Sequence, residues 1–140
     1  MSIQYDDCLK KGRIKPFSRG KALAGKELET AESDYESGMK SLSQKNYKWA
    51  TIQAYYSMFH TARALLYARN LKEHSHTCLI LAIEKLYVSN GKIREEHVES
   101  LREAKGLRED ADYYSRWSKE SSEKLLKSAE AFIKESRKLV

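Results

Sequence analysis

The sequence predicts an all-α fold, an antiparallel up-and-down bundle of about five helices, on three observations. Helix breakers are scarce: Pro16 is the only proline, and three of the six glycines, Gly12, Gly20 and Gly25, crowd into the opening stretch, so the rest of the chain is free to run as helix. Apolar residues recur at intervals of three and four, which lays them along one side of a 3.6-residue helix. Hydrophobic residues make up 41% of the 140 and charged residues 33%, a mix that suits helices with one buried and one wet face and lets a single domain fold without metal or disulfide.

Residues 1–20 read as a basic N-terminal arm and residues 21–140 as the bundle. Lys10, Lys11, Arg13, Lys15, Arg19 and Lys21 occur with no acidic residue among them; with those six set aside from 26 basic residues, 20 basic face 20 acidic. The net charge of +6 therefore belongs to the arm rather than to a basic bundle face. Two roles are open to it: a solvated leader, or phosphate contact.

Leu28, Ala31, Tyr35, Gly38 or Met39, and Leu42 form one stripe and predict a first helix over about 21–43. Asn46 is placed to cap a second, from Tyr47 to about Arg69, because its side-chain oxygen can accept a first-turn amide proton. This helix is apolar nearly all round, the mark of a central position. One seam is small (Ala50, Ala54, Ser57, Thr61, Ala64, Ala68) and lets a neighbouring backbone approach; another (Ile52, Tyr55, Phe59, Ala62, Leu66) supplies bulk. Residues 71–74 read as a loop. Ser75 caps a third helix with Leu79, Ala82, Ile83 and Leu86 inward, ended by Asn90-Gly91. A fourth runs from about Arg94 to Arg116 with Val98, Leu101, Ala104, Ala111 and Ser115 inward. Ser118 caps the fifth, which turns Leu125, Ala129, Phe132 and Ser136 to one side.

Residues 1–10 hold no apolar run and nowhere do 18 apolar residues follow one another, so neither a secretory signal nor a membrane span is expected, and the location expected is cytoplasmic. Cys8 and Cys78, 70 positions apart, read as reduced thiols. No glycine-rich phosphate loop, nucleophile elbow or catalytic metal motif occurs, and no cofactor is expected.

The stretch Ala54-Tyr55-Tyr56-Ser57-Met58-Phe59-His60-Thr61-Ala62-Arg63-Ala64-Leu65-Leu66 resembles the signature helix of the HEPN family, in particular its small prokaryotic, UPF0332-like members. The likeness continues through Ser75-His76, Cys78-Leu79-Ile80 and Leu107-Arg108-Glu109-Asp110-Ala111-Asp112-Tyr113, and reaches back to Tyr5–Lys15. It implies an antiparallel helical bundle that commonly forms a homodimer. HEPN proteins include nucleotide-binding modules, partners of small nucleotidyltransferases in toxin-antitoxin pairs, and metal-independent ribonucleases. The ribonucleases carry an Arg and a His four to six residues apart, the imidazole moving a proton while the guanidinium holds phosphate. Here Arg108 is followed by Asp112 and Tyr113, a carboxylate where the His would stand. The resemblance therefore implies a nucleotide- or RNA-binding interaction module working with a small nucleotidyltransferase, more than an independent enzyme; a ribonuclease toxin and a purely structural dimerisation module are the alternatives.

Arg108, Asp112 and Tyr113 are the catalytic candidates, and with them Arg63, His60 and His76 make the candidate ligand set. Arg108 and Asp112, one turn apart, read either as an intrahelical salt bridge or as a phosphate-holding arginine steered by a carboxylate, with Tyr113 offering a stacking ring. Arg63, on an apolar helix beside His60, needs a partner: a carboxylate of the first or fourth helix, Asp112 among them, or a ligand phosphate. Arg69 and His74 meet the Arg-x4-His spacing in the wrong place. His74, His76 and Cys78 alternate, which faces them apart, so no metal site is expected. Tyr113, Tyr114 and Trp117 could together build a dimer surface.

Overall fold

The near-uniform apolarity of the second predicted helix decides the architecture. In the computed structural model, which describes residues 2–140 and side chains from Gln4 onward, this helix is the hub around which the others pack. The described residues form α1 (Ser2–Lys10), β1 (Ile14–Pro16), α2 (Gly20–Ser43), α3 (Tyr47–Tyr67), β2 (Leu71–Glu73), α4 (His76–Ile83), α5 (Glu95–Tyr113) and α6 (Lys119–Arg137). The hub is α3; it lies most extensively along α2, then against α6 and α5. The fold is an all-α bundle, with six α-helices among the described residues instead of about five.

Both seams of α3 do what their side chains allow. Ala50, Ala54, Ser57, Thr61 and Ala64 are sealed from solvent, and the backbone of α2 comes close enough for the Ser57 hydroxyl to donate to the Ala31 carbonyl at 2.8 Å. The opposite seam sets Tyr55, Met58, Phe59, Leu65 and Leu66 into the core with Leu79, Ile83, Leu101, Leu125 and Phe132. Where α2 starts, Gly20 is required: a Cβ there would stand 2.5 Å from the Tyr67 carbonyl oxygen at the end of α3.

Ser75 and Ser118 cap as expected, accepting from the Cys78 and Ser121 amides at 3.2 and 3.1 Å. Asn46 does not: its side chain makes no cap bond, and the turn is closed instead by its own amide donating to Ser41 at 2.8 Å after Lys45 takes a positive φ of 60°. The fourth predicted helix stops at Tyr113 rather than Arg116, and Ser115, expected inward, is exposed at φ 52°. The third runs past α4 into a π-helical turn, Glu84–Val88, before Gly91 (φ 76°) ends it.

Three expectations about the chain's opening are corrected. The arm is not a solvated leader: Tyr5, Cys8 and Ile14 are buried, although all six of its cations are exposed. The 71–74 segment is not a loop but β2, antiparallel to β1 with Ile14 opposite Glu73 and Pro16 opposite Leu71. Cys8 and Cys78 are not free thiols; a disulfide joins them across a Cα–Cα distance of 5.8 Å, because α1 docks beside α4 and closes in space what sequence separation keeps apart. Met1 lies outside the described residues.

Candidate functional site

One face of the bundle gathers most of the candidate residues along α3. The hub presents Tyr55, Tyr56, Phe59, His60 and Arg63 in succession, one or two turns apart, while α5 brings Arg108, β2 brings Glu73 and the capped start of α4 brings His76.

Arg108 is largely enclosed, its side chain 18% exposed, with its Cζ 5.8, 5.6 and 5.8 Å from the ring centres of Tyr55, Tyr56 and Tyr113. Its Nη2 donates to the Tyr56 hydroxyl at 3.0 Å. Asp112 Oδ2 stands 3.5 Å from Nε, close enough for charge to be felt but without a hydrogen bond, so this buried Nε–H has no acceptor. Burial works against the charge, and Tyr56, Tyr113 and Asp112 outweigh it, so the guanidinium is held more firmly protonated than usual.

Tyr55 and His76 form the second unit. The Tyr55 hydroxyl lies 2.6 Å from His76 Nδ1. Burial pushes the phenol up despite Arg108 and pushes the imidazole down, with Arg108, Lys105 and Arg63 adding to the effect and Glu73 opposing it. Both groups are therefore held neutral, so the contact joins two uncharged partners, with the donor set by the imidazole tautomer. The imidazole also lies 4.5 Å from the Phe59 ring, centre to centre.

Phe59 links this unit to Arg63, whose Cζ sits 4.5 Å over its ring. The partner that Arg63 needs is Glu73, through Nη2 at 2.7 Å and Nε at 3.2 Å, with Glu27 at 3.6 Å behind. Asp112 is not that partner; it stays with Arg108 on α5. Burial lowers the Arg63 affinity for its proton, and the Glu73 hydrogen bonds and charge more than restore it. His60 turns to the far side of the same face, its Nδ1 2.5 Å from Glu27 and its Nε2 3.6 Å from Asp34.

The candidates thus fall into one connected run, from His60 and Arg63 through Phe59, His76 and Tyr55 to Arg108, Asp112 and Tyr113. At one end positive charge is answered by the buried Glu73 and the half-buried Glu27. At the other, Arg108 retains donors to offer. Arg69 lies elsewhere, over the Tyr87 ring and 3.5 Å from the Leu86 carbonyl, while His74 is tied by its backbone to Arg13. Cys78 is spent in the disulfide, and no cluster of metal-ligating side chains occurs among the described residues.

Sequence reasoning placed Tyr55 only in the core and missed Tyr56 and Glu73, whereas Glu27, 3.6 Å from Arg63, is a carboxylate of the first predicted helix, one of the two sources expected. The adjacent tyrosines were a usable signal, since a hydroxyl on a central helix must find a partner. Glu73 gave none, because its burial depends on a strand three residues long.

A HEPN domain model matches residues 25–139. A Methanocaldococcus jannaschii protein named "Putative toxin MJ0605" is 30% identical over 112 residues, covering 79% of this chain and 84% of that protein. A UPF0332 protein of Archaeoglobus fulgidus is 32% identical over 123 residues, covering 84% and 89%. Among solved structures, TT1696 from Thermus thermophilus superposes with a TM-score of 0.72 over 84% of this chain and 98% of its own, at 18% identity, a likeness of fold.

Proposed function

This chain belongs to the HEPN domain family, and from that premise we propose that it is a nucleotide- or RNA-binding interaction module in which Arg108 holds a phosphate. The observation that carries this is the difference between its two site arginines. Arg63 is saturated by Glu73 and Glu27, whereas Arg108 keeps an unpartnered Nε–H and gives one other bond to a neutral hydroxyl. A planar guanidinium with free donors, already enclosed by aromatic rings, suits a phosphate oxygen pair. Tyr113, 67% exposed, offers a ring for a base, and His76 meets the Tyr55 ring that Arg108 also faces.

Asp112 sets the terms of binding. Its carboxylate repels an incoming anion, so a phosphate gains Arg108 only by displacing or rotating Asp112 away from Nε. Asp112→Asn should accordingly tighten phosphate binding. The direct test is titration of single-stranded RNA and of a mononucleotide against wild type and Arg108→Ala. A loss of tenfold or more in the variant, with its fold intact by circular dichroism, supports the assignment; equal affinity removes it.

The relative named as a toxin supports a toxin-antitoxin-like setting, with a small nucleotidyltransferase as the partner and a homodimer as the working form. Co-purification with a nucleotidyltransferase encoded next to this chain, and sedimentation of the pure protein, test those two points. A second reading, metal-independent ribonuclease, is favoured by one observation: the His76 imidazole and the Arg108 guanidinium both meet Tyr55, so a titratable group and a phosphate ligand flank one ring. RNA cleavage in the presence of a chelator, lost in both His76→Ala and Arg108→Ala, would establish it.

A further inference from the structure

Large apolar side chains are exposed at six places among the described residues, and four of them are aromatic: Trp49, Tyr113, Tyr114 and Trp117. These four come from only two segments, the first turn of α3 and the connection between α5 and α6. Lys48 ties the segments together, its ammonium 5.5 Å from the Trp49 ring centre and 5.8 Å from that of Trp117. The connection is fixed rather than slack: the Asp110 carbonyl accepts from both the Tyr114 and Arg116 amides at 3.0 Å, and Ser115 takes the left-handed φ that reverses the chain. At its near end the strip meets the site, because the Tyr113 ring lies 5.8 Å from Arg108 Cζ.

We propose that this strip, Tyr113 and Tyr114 through Trp117, Lys48 and Trp49, is a stacking platform for single-stranded RNA whose phosphate backbone continues to Arg108. The proposal rests on the reading of Arg108 as a phosphate ligand and narrows its ligand from nucleotides in general to a single strand. Half-exposed indoles, with Trp49 at 48% and Trp117 at 45%, leave ring faces on which bases of any sequence can stack. Charge decides between RNA and a second protein copy. Lys48 has ring faces but no carboxylate partner among the described residues, so covering it with a protein surface would desolvate an ammonium without an anion, and lysine is depleted from interface cores for that reason. A phosphodiester supplies the missing anion while its bases take the rings.

Trp49 and Trp117 are the only two tryptophans in the chain, so tryptophan emission, excited selectively over tyrosine, reports on this strip alone. The experiment titrates the full-length protein with an oligouridylate of about ten nucleotides and, separately, with uridine monophosphate. The oligonucleotide should quench both tryptophans saturably; the Trp49→Ala/Trp117→Ala variant, which has no tryptophan left and is read by calorimetry beside wild type, should lose about tenfold or more in oligonucleotide affinity while binding the monophosphate as wild type does. Lys48→Glu should weaken the oligonucleotide without touching the core, which guards against a misfolded double variant. If the tryptophan variants bind the oligonucleotide normally while Arg108→Ala loses both probes, the platform falls and the phosphate reading stands. Quenching that survives undiminished in Arg108→Ala keeps the strip as an RNA surface but overturns its continuation to Arg108, and the phosphate reading with it. Failure of wild type to bind either probe removes both. A fluorescence change on dilution alone, matched by a dimer-to-monomer shift in sedimentation, assigns the strip to a second copy and overturns the proposal.

Discussion

Arg63 and Glu73 illustrate how a buried pair and a ligand site differ though both present a guanidinium. The Glu73 side chain is 5% exposed and Arg63 27%, so deleting either leaves a charge in poor solvent. Arg63→Ala should therefore cost roughly 2 kcal/mol in urea unfolding, less than for a fully enclosed pair since Arg63 keeps some water, while folded protein still binds nucleotide. Arg108→Ala should do the reverse. A variant at 63 that unfolds normally but fails to bind would exchange the two roles. Glu135 makes a second case. Burial raises its affinity for a proton, but bonds from His97 at 2.7 Å and from the backbone and side chain of Arg94 at 3.1 and 3.0 Å hold it down at about 2. A carboxyl depressed in the folded state contributes stability that is complete above its ordinary value near 4.5 and fades as pH falls toward about 2. Unfolding free energy of Glu135→Gln should accordingly fall less steeply between pH 5 and 2 than that of wild type, as measured by urea titration.

At the scale of elements, contact between α2 and α3 depends on what is missing from their side chains. Gly20→Ala would drive a methyl to 2.5 Å from the Tyr67 carbonyl, a backbone atom that cannot swing aside; the start of α2 must lift off, straining the Lys21 amide bond to Asn70 Oδ1 at 2.9 Å. Ala54→Leu overpacks the same seam from the other helix. Each should lower stability by roughly 1–3 kcal/mol, and an unchanged melting temperature in Ala54→Leu would contradict the central placement of α3. That placement was legible because thirteen residues of α3 are buried and their names alone are apolar or small. The smaller elements were not legible for equally plain reasons. β1 and β2 are three residues each, too short for an alternating pattern, and α1 buries Tyr5 and Cys8 among so many charges that the two inward positions do not stand out. Half of the candidate site followed the same line: Arg108 and His76 could be named from their motifs, whereas the carboxylate that neutralises Arg63 becomes visible only when β2 pairs with β1.

For the molecule as a whole, the consequence of those short elements is that residues 2–16, outside the matched HEPN region at 25–139, are fastened to it at three points. The β1–β2 ladder is one, the burial of Tyr5 and Ile14 another, and the Cys8–Cys78 disulfide the third. The excess of positive charge consequently rides on a docked segment, not on a free tail, and its field is fixed relative to the site. Closing a loop with a sequence separation of 70 restricts the unfolded chain, which by the chain-entropy argument is worth up to roughly 4 kcal/mol. Reduction with a dithiol, or Cys8→Ser/Cys78→Ser, should lower the urea midpoint and raise the dependence on urea, because the released chain exposes more surface when it unfolds. The native state should change little: with Ile14 sealed and paired opposite Glu73, the carboxylate stays on Arg63, and hydrogen exchange at the β1 and β2 amides should remain slow in reduced protein held well below the midpoint. A midpoint unmoved by reduction would mean that the disulfide adds nothing to the other two fastenings. Fast exchange at β2 would mean instead that the disulfide alone holds Glu73, and with it the charge balance of the site, in place.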